Sequence, residues 1–218
     1  MYSGITKGLF PVTRVEKKPG IIDYSVMLSP ELSEGLTISA SVNVDGVCQT
    51  VTAIQDYEIS FTAMAETCRL TTLDELSVGR QVSIERSLRY GDEIGGHSIA
   101  GHVIGTAVVH RVLPSENNLC LTLKCPSEWM KWILPKGFIA VDGSSLTVGH
   151  TDPSGLFDIH LIPETLRLTH FGNKRLGDRV NIELDHSTQV IVATLERRFQ
   201  EQAVAAGGEA LRGLCITR

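Results

Sequence analysis

The chain has no long apolar run: no stretch approaches the roughly 18 consecutive apolar residues that a membrane-spanning helix needs, which argues against a helical membrane protein. Its opening, Met-Tyr-Ser-Gly-Ile-Thr-Lys-Gly, lacks the apolar core of a secretory signal, so none is expected. Basic residues are in deficit, 20 Lys and Arg against 25 Asp and Glu, for a formal net charge of −5. Binding a phosphate backbone wants a concentrated basic face, so a nucleic-acid partner is not expected. Cysteines are few and unpaired. Cys48, Cys68, Cys120, Cys125 and Cys215 are odd in number and without paired spacing, which argues against a disulfide framework, and no Cys-x-x-Cys suggests zinc. The expected setting is a reducing cytoplasm, with most of these thiols serving as small apolar filler.

What is present is a repeat. Residues 44–51 read Val-Asp-Gly-Val-Cys-Gln-Thr-Val and residues 141–148 read Val-Asp-Gly-Ser-Ser-Leu-Thr-Val, an offset of 97. An Asp-Gly turn followed by a short strand is the chemistry of a two-residue hairpin. At the same offset Gly4, Gly8, Val12, Arg14 and Val15 fall on Gly101, Gly105, Val109, Arg111 and Val112. A one-residue insertion moves the offset to 98, where Glu66-Thr67 and Arg69-Leu70-Thr71 match Glu164-Thr165 and Arg167-Leu168-Thr169. Gly79, Val82, Ile84 and Glu85 then match Gly177, Val180, Ile182 and Glu183. The period is too long for a solenoid, so it marks two whole domains. At 218 residues and 42% apolar composition, each can bury a core of its own.

Short alternating segments recur in both halves, at 8–15, 23–28, 37–44, 48–54, 58–64 and 80–86, then 103–112, 119–125, 137–141, 145–149, 156–162 and 179–184. Six short strands per half predict a small closed β-barrel, which also removes exposed sheet edges. Ser29-Pro30-Glu31 reads as a capped helical turn, and Ser127-Glu128 as its counterpart. The spacing of Ile191, Leu195 and Phe199 predicts an amphipathic helix from about Ser187 to Ala205. That helix is not repeated, and its cheapest partner is its own copy in another subunit. The domain organisation expected is therefore 1–97 and 98–186 as barrels, 187–206 as a helix and 207–218 as a flexible tail.

Polar differences between the halves locate the chemistry. Cys48 and Thr50 stand where the second copy has Ser145 and Thr147, and His102 stands where the first has Ile5. They fall beside repeated glycines, where a ligand can approach the backbone closely. The joining segment Gly95-Gly96-His97-Ser98-Ile99-Ala100-Gly101-His102 admits three readings: metal ligands, a linker with two exposed histidines, or a histidine poised for proton transfer. Cys48 is open between a small packed residue and a nucleophile. Glu66-Thr67 and Glu164-Thr165 either cap short turns or line two related ligand sites. Lys136 is by default a solvated lysine, and Asp185 a charge favourable to the following helix dipole.

Taken together these motifs resemble riboflavin synthase of the α-chain type. The opening Met-Tyr-Ser-Gly-Ile is similar to the family's Met-Phe-Thr-Gly-Ile. Asp92-Glu93-Ile94-Gly95-Gly96-His97 with Gly101-His102 resembles its interdomain signature. Lys136-Gly137-Phe138-Ile139, Asp142-Gly143-Ser144-Ser145-Leu146-Thr147-Val148 and His160-Leu161-Ile162-Pro163-Glu164-Thr165-Leu166 resemble its second-domain motifs, and the likeness covers about residues 1–200. It implies an all-β fold of two tandem six-stranded Greek-key barrels plus a C-terminal helix that trimerises. It implies a transferase that dismutates two molecules of 6,7-dimethyl-8-ribityllumazine into riboflavin and 5-amino-6-ribitylamino-uracil by four-carbon transfer, the last step of riboflavin biosynthesis. Substrates and products balance, so no cofactor and no metal are expected.

The resemblance also implies an active site between the first barrel of one subunit and the second barrel of its neighbour, with lumazine synthase as a further partner. By carry-over, Ser41, Cys48 and Thr50 face the reaction centre from the first barrel. His102, Ser145 and Thr147 would lie in or near the second-barrel pocket, with His97 close by, and Asp185 completes the expected catalytic set. One 7-methyl group must lose a proton, for which His102, hydrogen-bonded to Thr147, is the expected carrier. The other lumazine must be activated at C7, by Cys48 or Ser41. Backbone at Gly4, Ile5 and Thr6, at Cys48, Gln49 and Thr50, at Gly101, His102 and Val103, and at Ser145, Leu146 and Thr147 would read the pyrimidine edge. Thr62, Ala63, Met64, Ala65, Glu66 and Thr67, with His160, Leu161, Ile162, Pro163, Glu164, Thr165 and Lys136, would hold the polar ring and the ribityl hydroxyls.

Tyr2 and Ser3 depart mildly from the family's Phe and Thr, and Gln49 stands where Leu is usual. Strand alternation turns Gln49 away from Cys48 and Thr50, so a changed packing face is expected there. The rival reading is a non-catalytic relative that binds a lumazine or flavin as an optical antenna. Such relatives lose parts of the Cys48, His97 and His102 set, which this chain keeps. A flavin-dependent reductase would need a nicotinamide-binding domain, and no Gly-rich strand-turn-helix of that kind is visible.

Overall fold

The computed structural model describes residues 1–214, with side chains described through residue 203. In the first half β1 (Leu9–Lys18), β2 (Ile21–Met27), β3 (Ser41–Val44), β4 (Val47–Gln55), β5 (Glu58–Met64) and β6 (Gln81–Arg86) close into a barrel in the order β1-β2-β5-β4-β3-β6. In the second, β7 (Gly105–Pro114), β8 (Leu119–Lys124), β9 (Phe138–Val141), β10 (Ser144–Asp152), β11 (Leu156–Leu161) and β12 (Arg179–Leu184) close in the matching order. The duplication therefore extends to Greek-key topology. It extends to irregularities as well: the register slips between Val12 and Arg14 and again between their counterparts Val109 and Arg111. Such bulges bend a strand and increase its twist, which a small barrel needs at its corners.

Alternation along β4 and β10 decides what faces the core and what faces outward. Val47, Gln49 and Val51 are buried while Thr50 is exposed, and Leu146 and Val148 are buried while Thr147 is exposed. Each barrel encloses its own core, around Tyr24, Ile59, Phe61 and Ile84 in the first and Leu121, Phe157, Phe171 and Ile182 in the second. Burying apolar side chains of this size at about 25 cal/mol per Å² supplies the main drive for closure.

The two Asp-Gly hairpins have the expected geometry, with φ of 47° and 87° at Asp45 and Gly46 and 43° and 82° at Asp142 and Gly143. They also meet each other. A Cβ on Gly46 would lie 2.6 Å from the backbone nitrogen of Gly143, so the turns touch where only glycine fits.

Gln49 shows how its barrel absorbs an amide. It is 5% exposed beside Tyr24 at 1%, and the Tyr24 hydroxyl donates to Gln49 Oε1 at 3.3 Å. Gln49 Nε2 in turn donates to the Cys48 carbonyl at 3.0 Å. The expected change of packing face is thus a buried polar pair. Gln49→Leu alone is expected to cost about 1–3 kcal/mol, because the phenol is left without an acceptor. Tyr24→Phe/Gln49→Leu together recover most of that in urea unfolding; equal losses in the single and double variants would refute the pairing.

Helices are short except at the end: α1 (Pro30–Ser33), α2 (Ala65–Leu70), α3 (Pro163–Leu168) and α4 (His186–Leu214). Ser29 caps α1 as expected, its hydroxyl accepting from the Leu32 N–H. Ser127 does not cap its turn. It is the first residue of a 3₁₀ turn over Ser127–Lys131, preceded by Pro126, and no side chain caps that turn. The strand expected from residue 37 begins at Ser41, because Ser39 turns the chain with φ of 70°. Asp185 is the N-terminal cap of α4: its carboxylate accepts from the Thr188 N–H at 2.8 Å and the Thr188 hydroxyl at 2.7 Å. The helix runs past the expected end at residue 206, through Gly207-Gly208. Glycine costs only about 1 kcal/mol per residue against alanine in a helix, which discourages it without forbidding it. Of the expected 207–218 tail, residues 215–218 lie outside the described residues. No helix among the described residues is long and apolar enough to cross a membrane.

Candidate active site

Two short arms build the site. Residues 1–6 form one arm and residues 98–103 the other, and they lie side by side with Tyr2 N–H donating to the Ile99 carbonyl at 2.8 Å and Ile99 N–H returning to Tyr2 at 3.0 Å. Each arm is held by a buried glutamate on the last strand of its own barrel. Glu85 accepts from Ser3 N–H, Ser3 hydroxyl and Gly4 N–H at 2.7, 2.7 and 3.0 Å. Glu183 accepts from Ala100, Gly101 and His102 N–H at 2.7, 2.8 and 3.0 Å. Burial pushes both carboxyls above their usual range, and the donors they receive pull part of the way back.

The arms then cross to the opposite barrel. Cys48 N–H donates to the Gly101 carbonyl and Ser145 N–H to the Gly4 carbonyl, both at 2.9 Å. Val103 packs against the first core. This exchange corrects one expectation. His102 does not join Ser145 and Thr147 in the second barrel; it lines a cleft of about 260 Å³ in the first, with Val47, Cys48, Glu66, Thr67 and Leu70. The matching residues beside Ser145 come from the first arm, Gly4 to Thr6, with the Thr6 hydroxyl 2.9 Å from that of Ser144.

The two sites are equivalent in backbone and different in side chain. In the first, the Tyr2 hydroxyl donates to Cys48 Sγ at 3.2 Å, and Ser41 lies directly across the ladder from Thr50. In the second, His97 Nδ1 is 2.6 Å from Ser145 Oγ, and the imidazole stacks on Phe138 with centroids 5.1 Å apart. Phe138 lies across from Thr147, the place that Ser41 holds in the first barrel. The two histidines of the joining segment differ in setting: His97 is 8% exposed, while His102 is exposed.

The outer residues form a looser rim. Glu66 and Glu164 stand in the first turns of the short helices α2 and α3 and pair with Arg69 and Arg167 three residues on, at 2.6 and 2.5 Å. No side chain caps either helix, so the turn-capping reading of these glutamates fails, and Thr67 and Thr165 stand half-buried beside them. Met64, Ala65, His160, Ile162 and Pro163 are exposed, whereas Ala63 and Leu161 point into the cores. Thr62 is engaged by Asp23 at 2.6 Å. Lys136 is exposed on the turn before β9, with φ of 65°. Among the described cysteines, Cys48, Cys68, Cys120 and Cys125 are free, and burial pushes the Cys125 thiol up to about 11.

Behind the hairpins lies a polar cluster that the sequence reading missed. Asp142 accepts from Asn181 N–H at 2.7 Å, faces His170 Nε2 at 2.8 Å and pairs with Lys174 at 3.2 Å. Asp45 accepts from Ser83 N–H at 2.7 Å and pairs with Arg80 at 3.3 Å. Asn181 Nδ2 donates to the Asp45 carbonyl at 2.7 Å, tying the barrels together. The cluster had one signal: Asp45 and Asp142 recur at the repeat offset. So do Glu85 and Glu183, whose retention in both copies marks a shared task.

Comparison with known proteins places these features. The lumazine binding domain family matches the chain twice, over residues 3–87 and 100–185. The chain is 46% identical over 198 residues to the riboflavin synthase of Escherichia coli (strain K12), covering 90% of this chain and 92% of that one. It is 41% identical over 197 residues to the riboflavin synthase of Chlamydia pneumoniae, covering 90% and 96%. Among solved structures, LumP complexed with riboflavin superposes with a TM-score of 0.79 at 22% identity, covering 85% of this chain and all of that one, which shows a shared fold.

Proposed function

The chain belongs to the riboflavin synthase family, and from that premise we propose that its paired sites dismutate 6,7-dimethyl-8-ribityllumazine, each barrel binding one molecule. One lumazine gives up a four-carbon unit to the other, yielding riboflavin and 5-amino-6-ribitylamino-uracil. Atoms and electrons balance between two substrates and two products, so the chain's own groups suffice.

The observation that carries this reading is the arm exchange, which makes two backbone-equivalent sites and arms them differently. Cys48 and His102 serve one, and Ser145 with His97 serves the other. A reaction between two identical molecules in unlike roles needs that combination. His102 carries the proton of a 7-methyl group, an imidazole being able to take and return a proton near neutral pH. Cys48, with Ser41 across the ladder, handles C7 of the activated ring. Ser145 and Thr147 hold the partner ring, positioned by His97. Stacking the rings converts an encounter into an oriented step, which supplies much of the rate.

The same reading places one barrel of each kind at every active site by assembling a homotrimer through α4. Val190, Ile191, Leu195 and Phe199 on that helix are exposed and suit a partner helix. Asp185, which caps α4, serves the assembly by starting that helix. The free thiols suit a cytoplasmic setting, and lumazine synthase is the partner that the resemblance names.

Purified protein mixed with the lumazine alone is expected to form one riboflavin per two lumazines, followed by absorbance. His102→Gln lowers kcat about a hundredfold, and Cys48→Ser lowers it as well. Tight lumazine binding without turnover by the unaltered protein would overturn the enzymatic reading and leave an antenna.

A further inference from the structure

Tyr2 is the largest side chain of the first arm and is 0% exposed, packed with Ile99 and Ala140 and touching Cys48. The backbone around it is pinned on three sides. Leu88 N–H donates to the Met1 carbonyl at 3.0 Å, Ile99 pairs with Tyr2 itself, and Glu85 holds Ser3. A ring so placed has little freedom, and its hydroxyl reaches Cys48 Sγ at 3.2 Å. Ser87 lies beside the same phenol and donates to the Ser41 carbonyl at 2.8 Å. One short polar run therefore joins the two first-barrel residues that compete for the role at C7.

We propose that Tyr2 is a positioning residue for Cys48: its phenol O–H aims the sulfur and stabilises its thiolate at the first-barrel site. The physical reason is the asymmetry of the bond. An O–H donated to S⁻ is charge-assisted and stronger than one donated to a neutral thiol, so the bond favours ionisation. When Cys48 ionises, its proton leaves to a base in the cleft or to water, and the phenol proton stays on Tyr2. Burial holds the phenol well above its ordinary pKa, with the contact to Cys48 adding to the effect, so it remains a donor throughout the working range. The repeat supplies an internal comparison. Tyr2 corresponds to Ile99, so Ser145 has no phenol in the matching place and is served by His97 instead.

The inference rests on the assignment of Cys48 above, and two separate measurements keep the two apart. Tyr2→Phe removes one oxygen and keeps the ring that fills the site. In that variant the pH profile of iodoacetamide labelling of Cys48, followed by mass spectrometry of its peptide, is expected to be displaced to higher pH, with labelling at pH 7 reduced about threefold. Turnover shows a lower kcat with KM unchanged. Superimposable labelling profiles for the two proteins would overturn the proposal directly. A shifted profile combined with full turnover in Cys48→Ser would overturn it through its premise, leaving the bond as a packing feature.

Discussion

Alanine at Gly101 is expected to lower riboflavin formation a hundredfold or more and to cost about 2–5 kcal/mol of stability. Two penalties add. Gly101 has φ of +80°, a conformation that costs a residue with a Cβ about 1–2 kcal/mol. The new Cβ would also sit 2.6 Å from Cys48 Cβ and 2.7 Å from Cys48 N, and relieving such overlap costs about 1–3 kcal/mol more. The backbone cannot yield without breaking the bond from Cys48 to the Gly101 carbonyl, which places His102 in the cleft. A shift of about 1 Å between reacting groups is enough for a hundredfold loss. Gly177→Ala is the control, because Gly177 has φ of +90° but nothing within 4 Å of the added carbon. It pays only the first penalty and keeps turnover. Unfolding curves and initial rates on the two variants decide the matter; equal behaviour would show that contact with Cys48 plays no part.

Asp142→Asn is expected to destabilise the protein by about 3–5 kcal/mol while leaving the hairpin intact, since Asn accepts the turn conformation as readily as Asp. The loss comes from His170 and Lys174, which lose the carboxylate between them in a largely buried place and leave His170 only Asp45, at 3.8 Å. The same cluster sets a pH dependence. Burial disfavours charge on His170, but the Asp45 carboxylate and the hydrogen bond with Asp142 outweigh it and raise its pKa. A raised folded-state pKa gives stability that is full below the ordinary value of 6.5 and is lost as pH rises through the folded value. Burial works against the Asp142 charge too, yet Lys174 and His170 hold its carboxyl well below the usual range. Its contribution is present above the ordinary 3.8 and lost as pH falls through the folded value. Melting temperature should therefore decline from about pH 6.5 upward, and His170→Gln should flatten that limb. A limb that survives in His170→Gln would assign it to another group.

The repeat made the barrels legible, because alternation and Asp-Gly turns are local signals that survive in both halves. The period of two alone set Gln49 on the face opposite Cys48 and Thr50, and the structure adds which face is buried, with Gln49 turned into the barrel. Ser29 was legible as a cap, whereas Ser127 was not excluded because a preceding proline leaves no mark on the pattern of types. The crossing of the arms was illegible for a deeper reason. A repeat states which residues correspond but not which copy they pack against, so His102 was assigned to the second barrel, into which it leads in sequence. Tyr2 read as a mild replacement of Phe, since one hydroxyl has no meaning until its neighbour is known. His170 stands where the first half has Thr72, and only proximity to two aspartates distinguishes it from any solvent-facing imidazole.

The contact between the halves obeys the logic of a twofold dimer, in which the same patch faces itself and every bond is made twice. Tyr2 against Ile99, Cys48 to Gly101 against Ser145 to Gly4, and one Asp-Gly turn against the other are all of this form. In a dimer of identical chains a single substitution would strike both sites at once. Residues 1–184 carry both halves on one polypeptide, so each position can be edited alone. A thiol with a phenol on one side and a hydroxyl with an imidazole on the other is an arrangement that no strictly symmetric assembly could encode.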